Sequence, residues 1–275
     1  MNLGHFETPL LLFGGAYSNL DALTALKQKA GQLGISPDHV ICTGDIVAYC
    51  GQPYETVETI RDWGIHVLMG NCEASFANEA DDCGCGFGEG TSCDLLSVEW
   101  FQFANRQLTT DQRTWFLKLP TAITFTIGNK KARIVHGSST SINQFIFSST
   151  DTVEFEKQFN HSQADIIISG HSGIPFVNKI DNKIWHNAGA IGMPANDGCT
   201  HTWYSILSAE NNSMSIKISP LDYDYLNAKN KMITAGLNNS YAKALETGLW
   251  PSMDILPKTE QQKQGQALIP EIFYF

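Results

Sequence analysis

Thr43-Gly44-Asp45-Ile46-Val47-Ala48-Tyr49 decides how this chain reads. It follows the short apolar run Val40-Ile41-Cys42. A buried strand followed by Gly and a polar residue places that residue at the strand's carboxyl end, where open α/β sheets build their sites. Three more stretches repeat the design. Ile65-His66-Val67-Leu68-Met69-Gly70 leads into Asn71-Cys72-Glu73, Arg133-Ile134-Val135 into His136-Gly137, and Ile166-Ile167-Ile168-Ser169-Gly170 into His171. Four expected strand ends thus carry one carboxylate, one amide oxygen and two imidazoles. That donor set suits zinc, manganese or iron better than magnesium.

Around this frame the chain reads as alternating elements. Leu10 to Phe13 is an expected strand, and Gly14-Gly15-Ala16-Tyr17-Ser18 a tight turn. Asn19 to Leu33 follows as a helix, with Leu20, Leu23, Leu26 and Ala30 at helical spacing. His39 to Thr43 is the second strand, Tyr54 to Trp63 a helix opened by Pro53, and Ile65 to Met69 the third strand. This β-α-β-α-β order predicts parallel strands. Residues 74–94 form an irregular Cys- and Gly-rich insertion. Helices are expected from Ser97 to Leu108, after the capping signal Thr109-Thr110-Asp111-Gln112, and from Thr150 to Phe159. Gly128-Asn129 marks a hairpin that leads into His136. The later strands read as a largely antiparallel sheet, Asp224 to Leu249 as helical (224–250 at the widest), and 257–275 as a polar tail. Residues 1–256 are expected to form one domain.

With 43% hydrophobic and 17% charged residues, the 275-residue chain can bury a large core. Its formal net charge of -10 argues against non-specific nucleic-acid or anionic-membrane binding, both of which need basic surface. No apolar run is long enough to span a bilayer, and the first residues lack the basic start of a secretion signal. The expectation is a cytoplasmic protein whose seven cysteines are reduced thiols or metal ligands rather than a disulfide framework.

Gly44-Asp45-Ile46-Val47, Gly70-Asn71-Cys72-Glu73, Val135-His136-Gly137-Ser138, Gly170-His171-Ser172-Gly173 and the turn Asn187-Ala188-Gly189-Ala190-Ile191-Gly192 stand in this order along the chain. Together they resemble the motifs of the calcineurin-like metallophosphoesterase superfamily, in particular its small bacterial phosphodiesterase-type members. The resemblance implies an α/β fold, a four-layer α/β/β/α sandwich of two mixed β-sheets flanked by helices. It also implies a site at the top of the sheets, with Asp45, Asn71, His136 and His171 as ligands of one metal.

The departures fall on the other metal of that family's pair. Its first motif is Asp-x-His, and here Gly15 holds the aspartate position and Tyr17 the histidine position. The second His of Gly-His-x-His is Gly173. One metal ion per chain is therefore expected. Two readings of Tyr17 stand: a phenolate ligand to a trivalent ion such as iron, or a phenol that fills the empty subsite and hydrogen-bonds Asp45. Cys72 takes the place of a proton-donating His in many relatives, and a thiol is a weak donor. Glu73 is a candidate for orienting a ligand.

Two other features compete. Cys83, Cys85 and Cys93, joined by Cys72, offer thiol ligands for a second metal site, although their spacing is not that of a common zinc motif. Trp100, Phe101, Phe103, Trp115 and Phe116 read as helix core or as a cap over the site. The function these readings imply is a metal-dependent phosphoesterase acting on a phosphodiester, a nucleotide or another small phosphorylated metabolite. The alternative is a non-catalytic protein of the same fold that binds a nucleotide or protein partner.

Overall fold

A computed structural model describes residues 1–210, 213–237 and 240–275. The first sheet runs in the order β1-β5-β6-β7-β9-β8, from β1 (Asn2–Phe6), β5 (Ile123–Ile127), β6 (Lys130–Ile134), β7 (Ile166–Ser169), β9 (Lys183–Asn187) and β8 (Phe176–Ile180). The second runs β12-β11-β10-β2-β3-β4, from β12 (Glu271–Tyr274), β11 (Ser213–Leu221), β10 (Thr202–Glu210), β2 (Leu10–Phe13), β3 (Val40–Cys42) and β4 (His66–Val67). Period-two alternation explains how they stack. Leu10 and Leu12 of β2, Ile41 of β3 and Trp203 and Leu207 of β10 meet Ile123, Phe125, Ile134 and Ile168 of the first sheet in one inter-sheet core. The opposite faces are covered by helices. Leu11, Phe13 and Cys42 pack on α1 (Leu20–Gln32) and α2 (Pro53–Trp63). Val135, Ile167 and Trp185 pack on α6 (Thr152–Ser162). The result is the four-layer sandwich of two mixed sheets that the motif order implied.

The remaining helices are α3 (Asn71–Ala77), α4 (Ser92–Gln107), α5 (Thr110–Phe116), α7 (Tyr225–Thr234), α8 (Ser240–Thr247) and α9 (Lys258–Gln261). Local chemistry sets their starts. Asn19 caps α1 through its side chain, and Thr109 with Gln112 forms the capping box of α5.

Several expectations are corrected. The β2, β3 and β4 strands are parallel as read, but β6, β7 and β9 are parallel too, so the first sheet is mixed rather than largely antiparallel. The α6 crossover between β6 and β7 makes that possible. Residues 2–6, given no element, form β1 beside β5. The tail 257–275 holds α9 and an edge strand, β12, paired with β11. Its short apolar stretch Ile272-Phe273 follows a polar spacer, which hid the strand. The expected helix of residues 224–249 is two helices, and its part at 238–239 lies outside the described residues.

Candidate metal centre

The ligand-type residues follow strands of both sheets: Asp45 after β3, Asn71 after β4, His136 after β6 and His171 after β7. Their polar atoms meet where the two sheets' carboxyl ends abut. His136 Nε2 lies 3.0 Å from Asn71 Oδ1, 3.2 Å from His171 Nδ1 and 3.2 Å from Asp45 Oδ2. His171 Nδ1 is 4.0 Å from the same Asp45 oxygen. All four residues are buried.

The backbone pays in strain for this convergence. Asp45 has φ 58, in the left-handed region, and Gly44 has φ 102. A Cβ on residue 44 would sit 2.8 Å from both Gly70 Cα and His136 Nδ1, so only glycine passes there. Glu73 holds the turn in place. Its carboxylate accepts N–H bonds from Asp45 (2.7 Å), Ile46 (2.7 Å), Val47 (3.3 Å) and Gly70 (3.0 Å). Burial and the neighbouring Asp45 charge push Glu73 up to about 7. Glu73 faces this backbone and acts as a positioning residue.

Two of the donors are aimed by a second contact. His136 Nδ1 donates to the Thr43 carbonyl at 2.7 Å, which leaves the lone pair of Nε2 toward the cluster. Asn71 Nδ2 donates to the Cys83 carbonyl at 2.9 Å, which turns Oδ1 inward. Burial works against charge on His136, but Asp45 beside it holds the ring above the usual histidine range. Burial and the His136 charge push His171 down to about 3. Burial opposes the Asp45 charge, yet His136 keeps its carboxyl below the usual range. Two lone-pair nitrogens and two oxygens, pre-aimed and 3.0 to 4.0 Å apart, fit one divalent cation.

The other half of the site is occupied by protein. A Cβ on residue 15 would lie 2.6 Å from both Cε atoms of the Tyr17 ring. A Cβ on residue 173 would lie 3.5 Å from the Tyr17 hydroxyl. The phenol therefore takes the space of the side chain missing at Gly15 and reaches the one missing at Gly173. Burial, with Asp45 nearby, raises the Tyr17 pKa well above its ordinary value.

The other candidates separate from the centre. Cys72 donates its backbone N–H to Asp45 Oδ1 at 3.2 Å, while burial holds its own group as a thiol. Cys83 and Cys85 are joined by a disulfide, against the expectation of reduced thiols. With two sulfurs so used and Cys93 at the start of α4, these three do not form a ligand cluster among the described residues. Cys85 instead sits against Asn71 Nδ2, at 3.3 Å. A second grouping, Asp197, Cys199 and His201, brings ligand-type atoms within 4.8 Å of one another. Its carboxylate already accepts the N–H groups of Cys199 and Leu268.

A cavity opens beside Asp45 and His171. Its wall includes Tyr49, Phe87, Phe145, Met193, Tyr241 and Trp250. Sequence reasoning missed this wall. The aromatics it singled out, Trp100, Phe101, Phe103, Trp115 and Phe116, pack in the helix-side core instead. Phe145 stacks on the His171 ring, centroids 4.2 Å apart. Only its place nine residues after His136 could have signalled it.

Two packed mixed sheets whose strand ends converge on an Asp, an Asn and two His thus carry a candidate metal centre. The chain belongs to the calcineurin-like phosphoesterase superfamily, whose domain model matches residues 18–212. It is 29% identical over 244 residues to an uncharacterized protein, MJ0912, of Methanocaldococcus jannaschii, covering 82% of this chain and 93% of that one. Its fold is similar to that of a metallophosphoesterase from Sphaerobacter thermophilus (TM-score 0.69, 20% identity, 89% of this chain and 100% of that one). It is also similar to the hypothetical protein PH1004 of Pyrococcus horikoshii OT3 (TM-score 0.73, 18% identity, 88% and 99%). Among the described residues no helix is long and apolar enough to cross a membrane.

Proposed function

We propose that this protein is a metal-dependent phosphoesterase that works with one metal ion, held by Asp45, Asn71, His136 and His171. Manganese, zinc or iron suits that donor set. The observation that carries the reading is the contrast within the site. Four donors are aimed at one point, while the Tyr17 ring stands where the ligands of a second ion would have to be. When bound, the ion supplies Lewis acidity toward a phosphoryl oxygen. The chain's own part is to orient. Thr43 and Cys83 carbonyls fix His136 and Asn71, and Glu73 fixes the turn of Asp45. Buried Tyr17 and Cys72 keep their protons, so either could donate a hydrogen bond but neither serves as a base.

Elemental analysis of protein purified without added metal is expected to find one transition-metal ion per chain. With Mn, Zn or Fe the protein should hydrolyse a generic phosphodiester, and His136→Ala should lower that rate at least about a thousandfold. Activity that survives His136→Ala, or two ions per chain, overturns the reading.

The departures at Gly15, Tyr17 and Gly173 support a second reading, a non-catalytic member that binds a nucleotide or a protein partner. Under it the native protein is inactive, and the triple change Gly15→Asp, Tyr17→His, Gly173→His creates activity. Turnover by the native protein removes this alternative.

A further inference from the structure

We infer that the cavity beside the metal centre selects a singly charged phosphoester carrying a planar apolar ring, and rejects dianionic monoesters and polyphosphates. This rests on the proposed phosphoesterase reading and deepens it. The first observation is charge. Among the described residues, no Lys or Arg lines the cavity. Asp45 is the acidic group on its wall, and His171, the histidine there, is buried. One divalent ion beside the Asp45 carboxylate, with the Glu73 carboxylate behind the same turn, leaves at most about one net positive charge at the mouth of the site. A monoanion matches it. The second charge of a dianion would enter a partly desolvated space with no cation to meet it, and an unpaired buried charge is strongly disfavoured.

The second observation is the wall. Phe87 and Phe145 of the wall lie nearly parallel, with an interplanar angle of 13°, Phe147 outside the wall lies at 7° to Phe145, and Phe145 continues the row onto His171. Two further wall residues are held in place by hydrogen bonds and packing. Trp250 is pinned by Nε1–H to the Pro194 carbonyl at 2.6 Å and by its backbone N–H to Asn196 Oδ1 at 2.8 Å. Tyr49 packs between Trp100, Tyr241 and Tyr17, with centroids 5.0, 4.6 and 4.8 Å away. A pre-ordered aromatic surface beside a charge-binding point recognises a flat ring by stacking and burial, at little entropic cost. An aryl ester and a nucleobase both present such a ring.

The test is a titration, followed by calorimetry, of the full-length, manganese-loaded protein with phosphonate analogues whose bridging ester oxygen is replaced by CH2, so that no P–O–C bond is present to be cleaved. Four probes, called below by the ester each one mimics, separate the terms: the CH2-bridged analogues of a phenyl ester of phenylphosphonate and of the methyl ester of methylphosphonate, free phenylphosphonate at an alkaline pH where it is doubly charged, and the CH2-bridged analogue of a nucleoside methylphosphonate ester. The phenyl ester should bind at least about tenfold tighter than the methyl ester and about tenfold tighter than the dianion. The nucleoside probe, compared with the phenyl ester, reports which kind of ring the wall prefers. Phe87→Ala and Trp250→Leu should each weaken the phenyl ester about fivefold more than the methyl ester. Ile255→Lys, which brings a cation to the wall, should strengthen the dianion about tenfold. Equal binding of ring-bearing and ringless probes, tighter binding of the dianion, or no binding of any probe overturns the inference. Binding is read without turnover. A protein that follows this selectivity yet hydrolyses nothing keeps the inference and loses the catalytic reading. One that hydrolyses monoesters and diesters alike keeps the catalytic reading and loses the inference.

Discussion

The two halves of the centre are built by opposite means. On one side Asp45, Asn71, His136 and His171 point polar atoms at a common centre, and each of the first three is steered by a further hydrogen bond. On the other, residues 15 and 173 have no side chains and the Tyr17 ring fills the space between them. Three substitutions scattered over the sequence are thus one change in space. A half that merely decayed would leave a void. Here the space is filled, and the difference teaches that the four converging residues must be judged as a complete candidate site of their own.

The prediction with the largest effect breaks the ordered half from behind. Glu73→Ala removes one carboxylate and strands four backbone N–H donors in a buried turn whose Asp45 has a positive φ. Each stranded donor costs on the order of 1 kcal/mol or more, so unfolding in urea should show a loss of about 4 kcal/mol. Metal affinity should fall with it, because Asp45 loses its orientation. A Glu73→Ala protein of native stability would mean the clamp carries nothing.

That clamp shows where sequence reading ended. The convergence of Asp45, Asn71, His136 and His171 was legible because a strand, a glycine and a polar residue is a one-dimensional pattern with a fixed structural meaning. The role of Glu73 toward Asp45 was legible only as a neighbourhood, since its partners are N–H groups that the sequence does not display. The empty subsite was visible as Gly15, Tyr17 and Gly173, but both readings of Tyr17 stayed open until the ring was seen in the space beside Gly15. The cavity wall was illegible. Tyr49, Phe145 and Trp250 come from three distant loops, and no periodicity links them. The β12 strand was missed for a related reason, because its pairing with β11 joins residues 53 to 59 positions apart, from Ile218 with Glu271 to Ser215 with Tyr274.

A smaller effect acts on both halves, through the packing of the sheets that carry them. His186 of β9 donates through Nδ1 to the Phe176 carbonyl and accepts at Nε2 from Ser205 Oγ of β10, at 3.0 and 2.8 Å. It is a buried polar bridge between the sheets, and burial pushes it down to about 4 from 6.5. The folded state keeps this ring neutral. The unfolded chain takes up a proton below about 6.5, so this stability is complete above that pH and is lost as pH falls toward about 4. The linkage amounts to about 3 kcal/mol. Urea unfolding measured across that window should be about 3 kcal/mol less steeply pH-dependent in His186→Gln than in the native protein. Identical slopes would remove His186 as the source.

The smallest expected effect tests the contrast most directly. If Tyr17 and Gly15 share one space, their substitutions cannot be additive. Gly15→Asp alone must move the phenol and also accept φ +38, and should cost about 3 kcal/mol. In a Tyr17→His background the ring is gone and only the backbone cost of about 1 kcal/mol remains. The difference, about 2 kcal/mol of coupling in a double-mutant cycle, measures how far the ring has replaced the ligand it displaced. Thermal or urea unfolding of the four proteins supplies the number without reference to activity. Additive costs would show that Gly15 and Tyr17 changed independently. The vacant half would then be an eroded site, and the single-ion reading would have to rest on the ordered half alone.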